Sequence, residues 1–290
     1  MNEPYGSPQH SEWLDVDWAA HRSSVIVNGA RVNYVVMGAG PPVLLVHGLG
    51  GVWQNWLETI PYLARERTTI AVDLPGFGRS ESSRAPVSIQ GYANFVESFL
   101  ESLGMGETAL VGSSMGGLIA AEAAATRPRM VSRLVLVSAA GPGRRSGPAP
   151  QASMPGRLRS AGAAIARRSG WVLRSATVRR ALLGRLMTHP ERISPGIARA
   201  MAAGIGRPAS PAARRATNHN DVGTRLRNIT APTLLVWGAR DQVVPPYVAS
   251  SYEQGIRGSR LVVLPDAGHV PMIERPAVFN RLVAEFLSAT

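Results

Sequence analysis

Apolar positions along this chain cluster in short runs rather than long amphipathic stretches. Pro42–Val46, Thr68–Val72, Ala109–Val111, Leu134–Val137, Thr233–Trp237 and Arg260–Leu264 are brief, mainly apolar and rich in Val, Leu and Ile. Such runs predict buried strands. Segments of helical spacing separate them: Trp53–Ala64, Ile89–Leu103, Met115–Thr126, Val248–Gln254 and Pro276–Leu287. Upstream, Val25–Val27, Asn28-Gly29 and Arg31–Met37 predict a β-hairpin, because Asn-Gly supplies the two positive-φ residues of a tight turn. Strands alternating with helices predict a parallel sheet covered on both faces.

The alternation breaks once. Between the Leu134 and Thr233 strands lies a long stretch rich in Gly, Pro, Ala, Ser and Arg, with helix-like pieces around 156–169, 171–187 and 195–205. The expected organisation is a loose lead-in over 1–24, a core over 25–140 and 225–290, and an Arg-rich helical cap inserted at 141–224. No internal repeat is present.

Composition narrows the function classes. The 290 residues suffice for one core with an insertion. There is no cysteine, which excludes disulfides, thiolate metal sites and a cysteine nucleophile. The first residues carry no basic-then-apolar leader, and no apolar run approaches the roughly 18 residues of a spanning helix; a cytoplasmic protein is expected. The net charge is +12 with no lysine, and residues 141–220 hold fifteen Arg against one acid, Glu191. A charge confined to one segment, without a nucleic-acid-binding motif, argues against a nucleic-acid partner. It predicts a solvated Arg surface on the insertion. The basic, amphipathic stretch from Trp171 to Met187 leaves an anion-attracting lid or membrane-surface contact as the alternative.

The strongest chemical signal is Gly112-Ser113-Ser114-Met115-Gly116. It ends a strand and opens a helix, the context in which a strained turn presents a serine nucleophile. Only Ser114 fits the frame. A serine needs a base, and of six histidines His269 alone follows the last strand, at the carboxyl edge where open α/β sheets carry their sites. The base needs an orienting carboxylate. After the Leu134 strand no acid occurs until Glu191, so Asp241, just beyond the Thr233 strand, is the candidate. Asp266 stands too near His269 and serves the turn. Asp73, in DLPGFGRS, precedes Ser114 and is read as structural. Two backbone donors are needed for an oxyanion: Met115, after the nucleophile, and Leu49, in the glycine-rich His47-Gly48-Leu49-Gly50-Gly51 loop.

These residues resemble the α/β-hydrolase superfamily over roughly 25–290. HGLGG, DLPGFGRS, GSSMGG, APTLLVWGARDQVVP and DAGHVPMIERP occur in the family's order. The resemblance implies a mostly parallel eight-stranded sheet, a Ser–His–Asp triad of Ser114, His269 and Asp241, oxyanion donors Leu49 and Met115, no cofactor and no metal, and an inserted cap. It is closer to capped carboxylesterases than to other branches. Epoxide hydrolases and haloalkane dehalogenases carry Asp where Ser114 stands. Meta-cleavage product hydrolases share the triad and an Asn-Trp pair like Asn55-Trp56. They tend to have Gly-Pro-Gly in the oxyanion loop and Trp after the histidine; here Gly50-Gly51 and Val270 stand instead. Haloperoxidase-like hydrolases share the Ser-Met-Gly arrangement. The expected function is hydrolysis of a small ester with an apolar acyl group, lactones and thioesters included. The alternatives are a carbon–carbon bond hydrolase and a non-enzymatic ligand receptor on the same fold.

Overall fold

Asn28 (φ 51°) and Gly29 (φ 77°) both take the left-handed backbone, and they turn β1 (Arg22–Val27) into β2 (Ala30–Met37). Two positive-φ residues match the twist of the strands they join. Six more strands follow: β3 (Pro42–Val46), β4 (Thr68–Val72), β5 (Thr108–Ser113), β6 (Val131–Val137), β7 (Thr233–Gly238) and β8 (Arg260–Leu264). The computed structural model describes residues 5–6, 11–83, 85–143, 170–202 and 210–289. It joins the strands in one sheet, ordered β1-β2-β4-β3-β5-β6-β7-β8. Only β2 runs against its neighbours; the pairs from β4 to β8 are all parallel.

Burial follows position in the sheet. β5 and β7 are buried at every residue, whereas edge strands β1 and β8 are buried only at Val27 and Leu264. Alternate residues of each central strand face opposite sides. Leu44, Leu110 and Leu136 pack with Tyr92, Phe95 and Phe99 of the Ile89–Ser102 helix and with Leu118 of the Met115–Thr126 helix. On the other side Val43, Leu45, Val111 and Val135 meet Trp53, Trp56 and Ile60, together with Phe279 and Val283 of the Pro276–Ser288 helix. The Met115–Thr126 helix is buried from Met115 to Ala125. Its run of Gly and Ala lets it lie close to the sheet.

The segment between β6 and β7 adds no described strand to the sheet. Its described parts hold helices Ala176–Leu183, Pro195–Ala202 and Ser210–Asn218. Leu173, Leu183, Met187, Ile197 and Met201 join the second apolar cluster, while Ala213, Ala216 and Val222 join the first. The cap therefore grips both faces of the core. The helix-like piece expected around 156–169 lies outside the described residues, as does the end of the one expected at 195–205.

Two expectations are corrected. Trp53–Ala64 is not one helix but a 3₁₀ turn, Trp53–Trp56, and a short helix, Ile60–Leu63. The Val52 amide donates to Asn55 Oδ1 and the Trp53 amide to Asp73 Oδ1, at 2.8 and 2.9 Å. Pro61 has no amide to continue a ladder. The described lead-in is also not loose. Trp13 and Trp18 pack on the second cluster, Trp13 Nε1 donates to Glu58 Oε1 at 2.8 Å, and β1 already begins at Arg22. Among the described residues no helix is long and apolar enough to cross a membrane.

Candidate active site

The chain leaves β3 for β4 on one side of the sheet and returns to β5 on the other. At such a reversal a crevice opens beyond the carboxyl ends of the strands. Ser114 stands there, directly after β5, with φ 55° and ψ −118°. This conformation costs a non-glycine residue on the order of 1–3 kcal/mol, and the surroundings must enforce it. The Ser114 amide donates to Val137 O at 2.9 Å, and its carbonyl accepts from the Ala140 amide at 2.9 Å. A Cβ on Gly112 would lie 2.3 Å from Gly116 O, and one on Gly116 would lie 2.3 Å from Val46 O. The turn can be this tight only because neither residue has a side chain.

Asp241 follows β7. Its Oδ1 accepts from the Val243 and Val244 amides, each at 2.8 Å, and its Oδ2 faces His269 Nδ1 at 2.8 Å. An ionised carboxylate only accepts, so Nδ1 carries the ring's proton and Nε2 its lone pair. Both residues are 4% exposed, so water competes little for this bond. The His269 amide donates to Leu186 O of the cap at 2.8 Å. Among the described residues no hydrogen bond joins Ser114 Oγ to the His269 ring. In free enzymes this contact is often long and tightens with substrate.

The loop after β3 closes the other side of Ser114. A Cβ on Gly48 would lie 2.9 Å from Ser114 Cβ, so the backbone beside Leu49 runs against the serine. Met115 opens the following helix. Among the described residues neither the Leu49 nor the Met115 amide donates to a protein acceptor. The rest of the loop is braced from below. His47 Nε2 accepts from the Leu74 amide at 3.0 Å, so Nδ1 carries the proton and donates to Gly48 O at 2.8 Å. Burial pulls the His47 pKa below its ordinary value, against the pull of nearby Asp73, which agrees with this neutral ring. Asp73 accepts from Asn33 Nδ2 and the Trp53 and Arg79 amides. It thus ties β2, the loop after β3 and its own turn together. Asp266 lies at the surface beside Arg240 and Arg275, at 3.5 and 3.6 Å. A cleft of about 550 Å³ lined in part by Pro142, Gly223, Leu226 and Gly255 touches none of the three candidate residues.

Sequence reasoning passed over Glu274 and Tyr5. Glu274 is fully buried and accepts from the Gly268 and Val270 amides on either side of His269. The signal was available: an acid among Pro271, Met272 and Ile273, five residues after His269. Tyr5, whose hydroxyl donates to Glu274 Oε2, gives no such signal.

Comparison with known proteins agrees with this architecture. The chain is 32% identical over 278 residues to the dihydrolipoyllysine-residue acetyltransferase component of the acetoin cleaving system of Cupriavidus necator, covering 93% of this chain and 70% of that protein. It is 30% identical over 304 residues to the 2-hydroxymuconate semialdehyde hydrolase of Pseudomonas sp. strain CF600, covering 99% and 97%. A solved meta-cleavage product hydrolase from Pseudomonas fluorescens IP01 superposes with a TM-score of 0.73 at 26% identity, over 91% of this chain and 97% of that one. The family model for the alpha/beta hydrolase fold matches residues 41–276, and with the eight-stranded sheet the conclusion is that this chain belongs to that family.

Proposed function

We propose that the protein is a serine hydrolase that cleaves carboxylic esters through an acyl-enzyme on Ser114. One juxtaposition carries the reading: the 2.8 Å Asp241–His269 pair shares a sheet edge with a serine held at φ 55° beside two amides that have no acceptor among the described residues. Ser114 Oγ attacks the ester carbonyl carbon as its proton passes to His269 Nε2. The carbonyl oxygen becomes an oxyanion facing the Leu49 and Met115 amides, and the N-terminus of the Met115–Thr126 helix adds its positive end. Asp241 keeps the ring in the tautomer that can take the proton and stabilises the imidazolium. The alcohol leaves with that proton. Water then attacks the acyl carbon, giving its proton to His269, and the acid departs as Ser114 recovers its own. Lactones and thioesters fit the same steps.

A second reading is hydrolysis of a carbon–carbon bond in a meta-cleavage product. The 30% identity to a 2-hydroxymuconate semialdehyde hydrolase over nearly the whole of both chains favours it. Gly50-Gly51 in the loop and buried Val270 after His269 favour the ester. The test is an acyl-chain series of aryl esters alongside a meta-cleavage product analogue, run on wild type and Ser114→Ala. Ester turnover should exceed turnover of the analogue. The Ser114→Ala enzyme should fold normally and lose on the order of 10⁴–10⁶ in kcat. Wild-type ester turnover by Ser114→Ala would discard the assignment, and preference for the analogue would select the second reading.

A further inference from the structure

The described residues contain four acids almost wholly buried: Asp73, Glu122, Asp241 and Glu274. Three are accounted for. Asp241 faces His269, Asp73 braces loops, and Glu122 pairs with Arg225 at 3.1 Å. Glu274 is the fourth, and like Asp73 it pairs with no cation among the described residues. Its charge is met by four hydrogen-bond donors. Oε1 accepts from the Gly268 amide at 2.8 Å and the Val270 amide at 3.2 Å. Oε2 accepts from the Thr188 amide at 2.8 Å and from the Tyr5 hydroxyl at 2.5 Å.

The four donors come from three parts of the chain. Gly268 and Val270 flank His269. Thr188 belongs to the cap, two residues from Leu186, whose carbonyl takes the His269 amide. Tyr5 belongs to the lead-in, and its oxygen also accepts from the His189 amide at 2.9 Å. The amides of 268, 269 and 270 are thus all fixed, two by Glu274 and one by the cap that Glu274 holds. Burial, reinforced by the nearby carboxylate, pushes the Tyr5 hydroxyl above its ordinary pKa, so it remains a donor at neutral pH.

We propose that Glu274 is a positioning residue that ties His269 to the seated cap, so that alignment of the base depends on the Thr188 and Tyr5 contacts. This inference rests on Ser114 and His269 acting as nucleophile and base. Glu274 touches no reacting atom; it acts through the backbone of the histidine loop. An amide in its place keeps the shape but has one acceptor oxygen. Its NH₂ must then face either the two loop amides or the Thr188 amide, donor against donor. Either way one arm is released, and the His269 amide loses its fixed seat.

The test uses the full chain with Glu274→Gln, Tyr5→Phe and Ser114→Ala, an aryl ester as substrate and a serine-directed phosphonate to count active sites. Counting sites separates slower catalysis from a smaller folded fraction. Glu274→Gln should lower kcat per counted site by on the order of 10- to 100-fold, the scale of a small misplacement of a catalytic group, with kcat changing more than KM. Tyr5→Phe, which removes one O–H, should lower it in the same sense by less. Wild-type kcat per counted site in Glu274→Gln overturns the proposal, even if that variant melts earlier. If Glu274→Gln does not fold, Tyr5→Phe decides, and wild-type kcat per counted site there overturns it equally. Turnover surviving in Ser114→Ala would instead overturn the underlying reading of the site.

Discussion

The sheet edge and the cap meet where the His269 amide donates to Leu186 O, but they are held by different means. At the edge, glycines bring backbone against backbone, and backbone groups nearby in the fold fix Ser114 and Asp241. Ser114 hangs between Val137 and Ala140, and Asp241 takes the amides of Val243 and Val244. In the cap, one side chain does much of this. Arg179 is 7% exposed, and its guanidinium donates to four carbonyls: Pro190 O at 3.1 Å, Leu173 O at 2.7 Å, Arg174 O at 2.9 Å and Glu191 O at 2.6 Å. Its fork of N–H groups fits scattered acceptors in a way a lysine cannot. The serine turn is therefore specified by the absence of side chains at Gly112 and Gly116, and much of the cap by the reach of one, Arg179. This also divides the Arg-rich insertion. Arg174, Arg192 and Arg199 are exposed, as a solvated surface requires, but Arg179 is part of the cap's interior.

The comparison can be broken at either end. The largest effect should come from Asp241→Asn. It keeps the shape but favours the wrong tautomer of His269, and kcat should fall about 10⁴-fold while the melting curve stays two-state. A fall of less than tenfold would remove Asp241 from the triad.

Arg179→Met should act on the cap alone. It strands four carbonyl acceptors, two of them in buried bonds, at about 1–3 kcal/mol of local stability for each buried one left without a partner. Hydrogen exchange should quicken at 173–191 while β5 and β7 keep their protection. Equal loosening of sheet and cap would show that the two regions are one cooperative unit.

The smallest effect is in pH. His47 binds a proton more weakly when folded than its unfolded value of about 6.5, so the unfolded chain takes up protons first. Its contribution is complete above pH about 6.5 and is lost as pH falls toward the depressed folded pKa. His47→Gln, which retains an acceptor for the Leu74 amide, should flatten this acid slope in denaturant titrations. An unchanged slope would mean that other groups carry it.

Most of the core was legible in the sequence because its signals are local. Asn28-Gly29 states a turn in two residues. The short apolar runs announce buried parallel strands, and the Gly-x-Ser-x-Gly frame encodes a steric demand that Gly112 and Gly116 meet. The triad candidates followed from chain order along one sheet edge. Trp53–Ala64 was misread because helical spacing says nothing of Asp73, twenty residues away, taking the Trp53 amide. Glu274 escaped for the same reason on a longer scale. Its donors come from positions 5, 188, 268 and 270, and no window of sequence contains them together. The buried role of Arg179 was hidden among fourteen other arginines of similar local setting.

The bond between Tyr5 and Glu274 spans 269 positions. During synthesis the tyrosine emerges 269 residues ahead of its partner. β1 to β6 can pair long before then, since each neighbour is close in sequence, but Asp241, His269 and Glu274 all lie beyond the cap. A nascent chain can thus build most of its sheet and the serine turn while lacking both His269 and the Glu274 carboxylate that takes the amides beside it. Closing so long a loop comes late in folding. Hydrolytic competence should then arise in one step at the end of assembly rather than gradually with chain length.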